Sequence, residues 1–244
     1  MKKAILTGHS RGLGAAIAEQ LLARDISVLA ISRAGNATLA GRLTEQAMDL
    51  SDTTALSAWL AGGALREFFA DASTAIVINN AGLLQPVGPL PMQSPEAIAK
   101  AVALNVAAPL MVSAAFAADC PTNCDRRLLN VSSGAGSTAY AGWSVYCATK
   151  AALDHHARSV VLDATPSLRI CSLAPGVIDT DMQGEIRATT IEQFPLRERF
   201  DAFKRDGVLQ APADCARRLV DYLLGDAFGR EPVADLRAVG TNAA

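Results

Sequence analysis

A short apolar run, Ala4-Ile5-Leu6, passes directly into Thr7-Gly8-His9-Ser10-Arg11-Gly12-Leu13-Gly14 and then into an amphipathic segment, Ala15 to Ala23. This order constrains the fold more than any other feature of the chain. It reads as a strand, a glycine-rich turn and a helix, the opening of a βαβ unit. The three glycines permit positive φ and close approach of the backbone to a ligand. The N–H groups left free at the helix start, with the helix dipole behind them, attract phosphate. The spacing is Gly-x-x-x-Gly-x-Gly rather than the commoner Gly-x-Gly-x-x-Gly, so taken alone the turn also fits an ordinary strand-to-helix connection.

The rest of the 244-residue chain continues the alternation. Apolar and β-branched runs predict strands over 3–6, 27–31, 46–48, 75–78, 127–131 and 169–174. Helical periodicity predicts helices over 12–23, 53–69, 95–118, 141–164 and 212–224. Such alternation specifies an α/β, single-domain Rossmann fold over 1–244: a doubly wound parallel sheet with helices on both faces. Ligands of such sheets bind beyond the strand C-termini, where the strand order reverses. At 50% hydrophobic, the chain has ample material for one core.

A formal net charge of −2, with no basic block, argues against a nucleic-acid or anionic-membrane partner. Only three apolar residues separate Lys3 from Thr7, too few for a secretory core segment. The most membrane-like stretch, Ala97 to Ala118, contains Lys100, Asn105 and Pro109 and reads as a buried or interface helix. Five cysteines, an odd and sparse set, fit reduced thiols in the cytoplasm. Cys120 and Cys124 have no histidine or cysteine cluster near them to complete a zinc site, so no metal is expected.

Chemistry enters with Tyr146 and Lys150, a Tyr-x-x-x-Lys pair, and Ser133 upstream. Residues four apart share a helix face, so the phenol and the ammonium stand one turn apart. A phenol of pKa about 10 is a poor proton carrier at neutral pH, and a nearby cation lowers that value toward the working range. A serine from a separate strand end could hold a substrate oxygen. Without other support, the pair would read as a solvated helix face.

Taken together, the motifs resemble the short-chain dehydrogenase/reductase family over nearly the whole length. In order they are the glycine turn, Asp49, Asn79-Asn80-Ala81-Gly82, Asn105, Asn130-Val131-Ser132-Ser133, Tyr146-x-x-x-Lys150, and Pro175-Gly176 with Thr180. The resemblance implies hydride transfer between a nicotinamide cofactor and a carbonyl carbon. Tyr146 would give its proton to the carbonyl oxygen while Ser133 steadies it. Lys150 would bind the nicotinamide ribose and lower the Tyr146 pKa, and Asn105 would hold a water for proton relay. Ser132 competes for the serine role, but the thirteen-residue spacing to Tyr146 favours Ser133. The resemblance also implies that Gly8, Ser10, Arg11, Gly12, Leu13 and Gly14 bind pyrophosphate. Asp49 and Leu50 would meet adenine, and Asn80, Ala81 and Gly82 the ribose. Pro175, Gly176, Val177, Ile178 and Thr180 would lie at the nicotinamide end, and residues 183–210 would form a mobile lid.

The second strand ends in Ser32-Arg33, where an NAD-selecting chain carries Asp or Glu. Arg33 and Arg11 could fork onto a 2′-phosphate, with Ser10 as a further donor, so NADPH/NADP+ is the expected cofactor. His9, in the glycine turn, and His155 and His156 are assigned no chemical role.

Segments Gly142 to Asp154 and Ala174 to Gln183 are similar to sepiapterin reductases and to bacterial reductases of aromatic diketones such as benzil. That similarity implies reduction of a ketone or 1,2-dicarbonyl, a small-molecule carbonyl substrate. Trp143 and Met182 would supply bulky apolar walls. Asp235 stands where sepiapterin reductases carry a pterin-gripping aspartate, although a surface aspartate is an equal reading. The ending Val239 to Ala244 lacks the glycine-rich strand common elsewhere in the family, which argues against 3-oxoacyl reductases. The alternatives are another ketone class (3-oxoacyl, sugar or steroid) or a non-catalytic NADPH-binding sensor. Relatives pair through helices like 95–118 and 141–164, which implies a homodimer or homotetramer.

Overall fold

The computed structural model describes residues 1–239. The Gly240 to Ala244 part of the C-terminal ending discussed above lies outside the described residues. Seven parallel strands form one sheet in the order β3-β2-β1-β4-β5-β6-β7. They are β1 (Lys2–Thr7), β2 (Ser27–Ser32), β3 (Thr44–Ala47), β4 (Thr74–Asn79), β5 (Asp125–Val131), β6 (Leu168–Ala174) and β7 (Val233–Asp235). The order reverses between β1 and β4, so the glycine turn after β1 and Asn80 after β4 meet at the switch point.

Period-two alternation in the central strands feeds two cores. Ala4 and Leu6 of β1, Val28 and Ala30 of β2, and Ile76 and Ile78 of β4 face one side. There α1 (Gly12–Leu22) and α9 (Pro212–Leu224) pack on each other through Ile17, Leu21 and Leu219. Ile5, Leu29, Ile31 and Val77 face the other side, against Leu56 of α2 (Thr53–Ala61), Phe69 of α3 (Ala64–Phe69) and Phe116 of α5 (Ala108–Asp119). Both faces are apolar, as strands buried on two sides require. A third cluster, built on Trp143, Tyr146, Phe194 and Phe200, is separate from both sheet cores.

The departures from the predicted elements have local causes. The helix expected over 53–69 breaks into α2 and α3 at Gly62-Gly63, where Gly63 takes φ +81°. The helix expected over 95–118 does form, from Pro95 to Asp119, and is long and apolar enough by composition to cross a membrane. Ala108, Val112 and Phe116 bury one of its faces against the sheet. Between α4 (Pro95–Val102) and α5 it widens into a π turn, Ala103–Ala107, around Asn105. The edge strand β3 runs over Thr44–Ala47 rather than 46–48, and α6 over Ser144–Leu162 rather than 141–164. Strand β7 was not expected: three half-buried residues are too few for a periodic signal. Region 183–210 is about half helical, with most of α7 (Asp181–Arg187) and all of α8 (Arg197–Arg205).

Candidate active site

The strand C-termini and the α7–α8 segment enclose a cavity of about 860 Å³. At its floor the glycine turn leaves no room for side chains. A Cβ on Gly14 would overlap the Gly8 carbonyl oxygen, and one on Gly8 would lie 2.9 Å from Ala81 Cα. Gly8 and Gly12 take φ +75° and +56°, which only glycine adopts freely. Thr7 and Asn80 hold the turn to the end of β4. Thr7 Oγ1 accepts from the Asn80 and Ala81 N–H groups, both at 3.0 Å, while Asn80 Nδ2 donates to the Thr7 and Gly8 carbonyls, also at 3.0 Å. Bare backbone thus meets the start of α1, the cradle that a nicotinamide dinucleotide's pyrophosphate needs.

Around this floor lie Ser10, Arg11, Leu13, Ser32, Arg33, Asp49 and Leu50 on one side, and Ala81, Gly82, Pro175, Gly176, Val177, Ile178 and Thr180 on the other. Every cofactor-binding residue expected from the sequence lines the cavity. Arg33 is exposed, and Arg11 pairs with Asp181 at 3.1 Å with both side chains largely in solvent. Asp49 accepts from the Ser51 hydroxyl (2.7 Å) and N–H (2.9 Å), and these bonds lower its pKa. His9 lies behind the turn rather than in the cavity. It is buried, bonded through Nε2 to Glu45 of β3 (2.7 Å) and through Nδ1 to the Ser32 hydroxyl (3.2 Å).

Beyond the ribose end, Tyr146 and Lys150 project from α6 toward Ser133 at the end of β5. The Ser133 hydroxyl hydrogen-bonds the phenol, which favours the phenolate, but burial dominates and raises the Tyr146 pKa to about 12. The expectation that Lys150 lowers the phenol pKa is not met in the protein alone. Lys150 is itself buried, its ammonium pushed down to about 8, and its Nζ donates to the Val131 carbonyl at 2.7 Å. Asn105 is buried in the π turn. Its Oδ1 accepts from Leu83 N (2.9 Å), and its Nδ2 donates to Leu83 O (2.8 Å) and Thr149 Oγ1 (3.2 Å). A Cβ on Gly82 would sit 3.3 Å from Asn105 Oδ1 and 3.8 Å from Lys150 Nζ. Ser132 also lines the cavity, but its hydroxyl is committed to Asp154, to which it donates at 2.7 Å.

At the substrate end, Trp143 stacks on Phe194, with centroids 4.5 Å apart and planes 5° from parallel, and meets the Tyr146 ring edge-on at 5.6 Å. Met182 and Phe200 complete this apolar wall. Of the two readings of Asp235, its placement fits the surface aspartate. It ends β7 beside Ala174, is not among the lining residues, and its carboxylate is taken up by Arg237 (N 2.9 Å, Nε 2.9 Å, NH2 2.5 Å). A carboxylate satisfied by its own neighbour two residues on has little left for a ligand, and Arg237 lines the cavity in its place. Sequence reading also missed Phe194 and Phe200, which lay in a segment without strand or helix signal, and Val131, which acts only through its backbone carbonyl.

Residues 2–191 match the family model for short chain dehydrogenase. A benzil reductase ((S)-benzoin forming) of Bacillus cereus is 34% identical over 242 residues, covering 93% of this chain and 96% of the relative. A sepiapterin reductase of Xenopus laevis is 33% identical over 243 residues, covering 92% of this chain and 91% of the relative. A short-chain dehydrogenase/reductase from Burkholderia vietnamiensis, known by crystal structure, is 51% identical over 97% of each chain with a TM-score of 0.70. The chain belongs to the short-chain dehydrogenase/reductase family, in its sepiapterin/benzil reductase-like branch. It is therefore an oxidoreductase of carbonyl and alcohol groups that works with a nicotinamide cofactor.

Proposed function

We propose that this enzyme reduces an aromatic ketone or 1,2-dicarbonyl, of the benzil or sepiapterin side-chain kind, at the expense of NADPH. The observation that carries this reading is the Tyr146 phenol, bonded to Ser133 and set edge-on against the Trp143–Phe194 stack. A flat aromatic substrate finds a matching wall there, with its carbonyl oxygen within reach of two hydroxyls. When bound, the reduced nicotinamide supplies hydride to the carbonyl carbon. Tyr146 donates its proton to the oxygen as negative charge develops there, and Ser133 stabilises that charge. Lys150 holds the ribose hydroxyls, and Asn105 fixes the segment after Gly82 beside it. Arg33, Arg11, Ser10 and Ser32 receive the 2′-phosphate, since β2 ends without a carboxylate. We place the enzyme in the cytoplasm as a homodimer or homotetramer. Val102 of α4 and Val161 and Leu162 of α6, exposed in the single chain, support pairing through those helices.

The test is NADPH oxidation at 340 nm with benzil, diacetyl, sepiapterin and a 3-oxoacyl thioester, each repeated with NADH. Turnover of benzil or sepiapterin with NADPH is expected. Turnover of the thioester alone would overturn the substrate class, and equal or better kcat/KM with NADH would overturn the cofactor choice.

A further inference from the structure

Asp154 is a carboxylate with only 4% of its surface exposed. It follows Lys150 by one turn of α6, on the same face. Its Oδ1 accepts two hydroxyl hydrogen bonds, each 2.7 Å long, from Ser132 at the end of β5 and from Ser172 in β6. The 3-10 turn after Ser133, Gly134–Gly136, closes over it from the other side. A Cβ on Gly136 would overlap Asp154 Oδ2 and lie 3.2 Å from the Lys150 carbonyl oxygen. Among the described residues Asp154 has no ion-pair partner. A buried charge held only by hydroxyls is expensive, and an apolar side chain of similar volume would pack at less cost.

We propose that Asp154 is a positioning residue for the reaction, locking the strand end that carries Ser133 to the helix that carries Tyr146 and Lys150. Ser132 immediately precedes Ser133, so its bond to Asp154 fixes the backbone from which the Ser133 hydroxyl reaches the phenol. Ser172 draws β6 into the same lock, and the helix, two strands and the turn share one carboxylate. The carboxylate also acts on Lys150. Burial drives that ammonium toward its neutral form, and the negative charge of Asp154 opposes the effect. The other titratable groups around it are Tyr146 and Cys147 of α6 and Cys171 of β6, with Tyr222 and Glu231 beyond Cys171.

The inference rests on the carbonyl-reductase reading, and two readouts separate them. Asp154→Asn keeps an oxygen for both serine hydroxyls and removes the charge. With a ketone turned over by the wild type, we expect kcat to fall on the order of 10-fold, inside the 10²-fold that a 1 Å misplacement costs. KM for NADPH should be little changed, and the alkaline limb of the kcat profile should move to lower pH. Independently of turnover, NMR of cofactor-free, 13C-lysine-labelled protein follows the Lys150 ammonium, assigned through Lys150→Met. Its titration should move to lower pH in Asp154→Asn. Coincident Lys150 titrations in the two proteins would overturn the proposal. So would an unchanged kcat–pH profile. A wild type silent toward every ketone would overturn the reductase reading and leave the NMR titration to decide on Asp154. If Asp154→Asn does not fold, Ser132→Ala carries the test, since a lowered kcat supports the lock and a normal one overturns it.

Discussion

Lys150 reaches from α6 to the carbonyl oxygen of Val131, 2.7 Å away and two residues before Ser133 on β5. The ammonium is thus fixed to the strand that presents the serine, and it is buried deeply enough to bring its pKa down to about 8. The phenol beside it moves the opposite way, to about 12, because burial disfavours the phenolate. The two shifts have separate consequences for pH. Below about 8 Lys150 is protonated and Tyr146 carries its proton, the state that reduction needs. Reductive kcat/KM should therefore stay level through neutral pH and fall above about 8 as the ammonium is lost. Oxidation of the product alcohol needs Tyr146 without its proton and should rise with pH toward the Tyr146 value of about 12. Paired pH–rate profiles check both signs. A reductive profile still level far above that pH would remove Lys150 from the mechanism.

Tyr146→Phe removes the proton donor and little else, because the ring keeps its edge-on contact with Trp143. Reductive kcat should fall at least about 10²-fold, the lower range for acid–base catalysis. NADPH binding, followed by fluorescence, should remain. Near-normal turnover would disprove the assignment.

What could be read ahead of the coordinates divides along physical lines. Alternation of apolar runs with helical periodicity marked the five longer strands closely, because each is long enough to show its pattern, whereas the short, exposed β3 was caught only at its end. The glycine turn, Asn105, Ser133, Tyr146 and Lys150 were legible for another reason: each sits in a short motif whose spacing is fixed by one turn or one helix. Asp235 and Arg237 were not. Two charged residues two apart at a strand end can satisfy each other or face a ligand, and only side-chain geometry decides. Asp154 belongs to the matched segment, but no role for it was legible because its partners, Ser132 and Ser172, are separated from it by 22 and 18 residues. The Tyr146 shift runs opposite to the sequence expectation because burial, which sequence does not display, outweighs the hydrogen bond with Ser133.

Gly14→Ala tests the floor of the cavity. The new methyl would overlap the Gly8 carbonyl and lie 2.5 Å from Asn80 Nδ2, so the turn has to open. Affinity for either nicotinamide dinucleotide should be lost, measured by calorimetry, while far-ultraviolet circular dichroism stays near wild type. Retained affinity would show that the phosphates sit elsewhere.

Cofactor choice turns on Arg33, exposed at the end of β2 and free of any ion pair among the described residues. Arg33→Asp places a carboxylate where a 2′-phosphate would be repelled and a 2′-hydroxyl accepted. The ratio of kcat/KM for NADPH over NADH should fall by at least about 10-fold, the equivalent of 1.4 kcal/mol. Arg11→Ala should act in the same direction more weakly, because Arg11 divides its charge with Asp181.

Phe194 belongs to the connection between α7 and α8, yet it is fully buried, stacked on Trp143 and in contact with Phe200. The wall of the substrate end is therefore held by an aromatic stack rather than by backbone pairing. Phe194→Ala removes one half of that stack and leaves a cavity. Loss of a buried phenylalanine costs about 3–5 kcal/mol in a rigid core. Here the α7–α8 segment can subside into the gap, so the fall in Tm should sit at the low end while the effect on catalysis is selective. KM should rise for benzil, whose rings need the wall, and change little for diacetyl, which has none. Equal effects on both ketones would mean that the stack supports the fold of the segment and not the recognition of aromatic substrates.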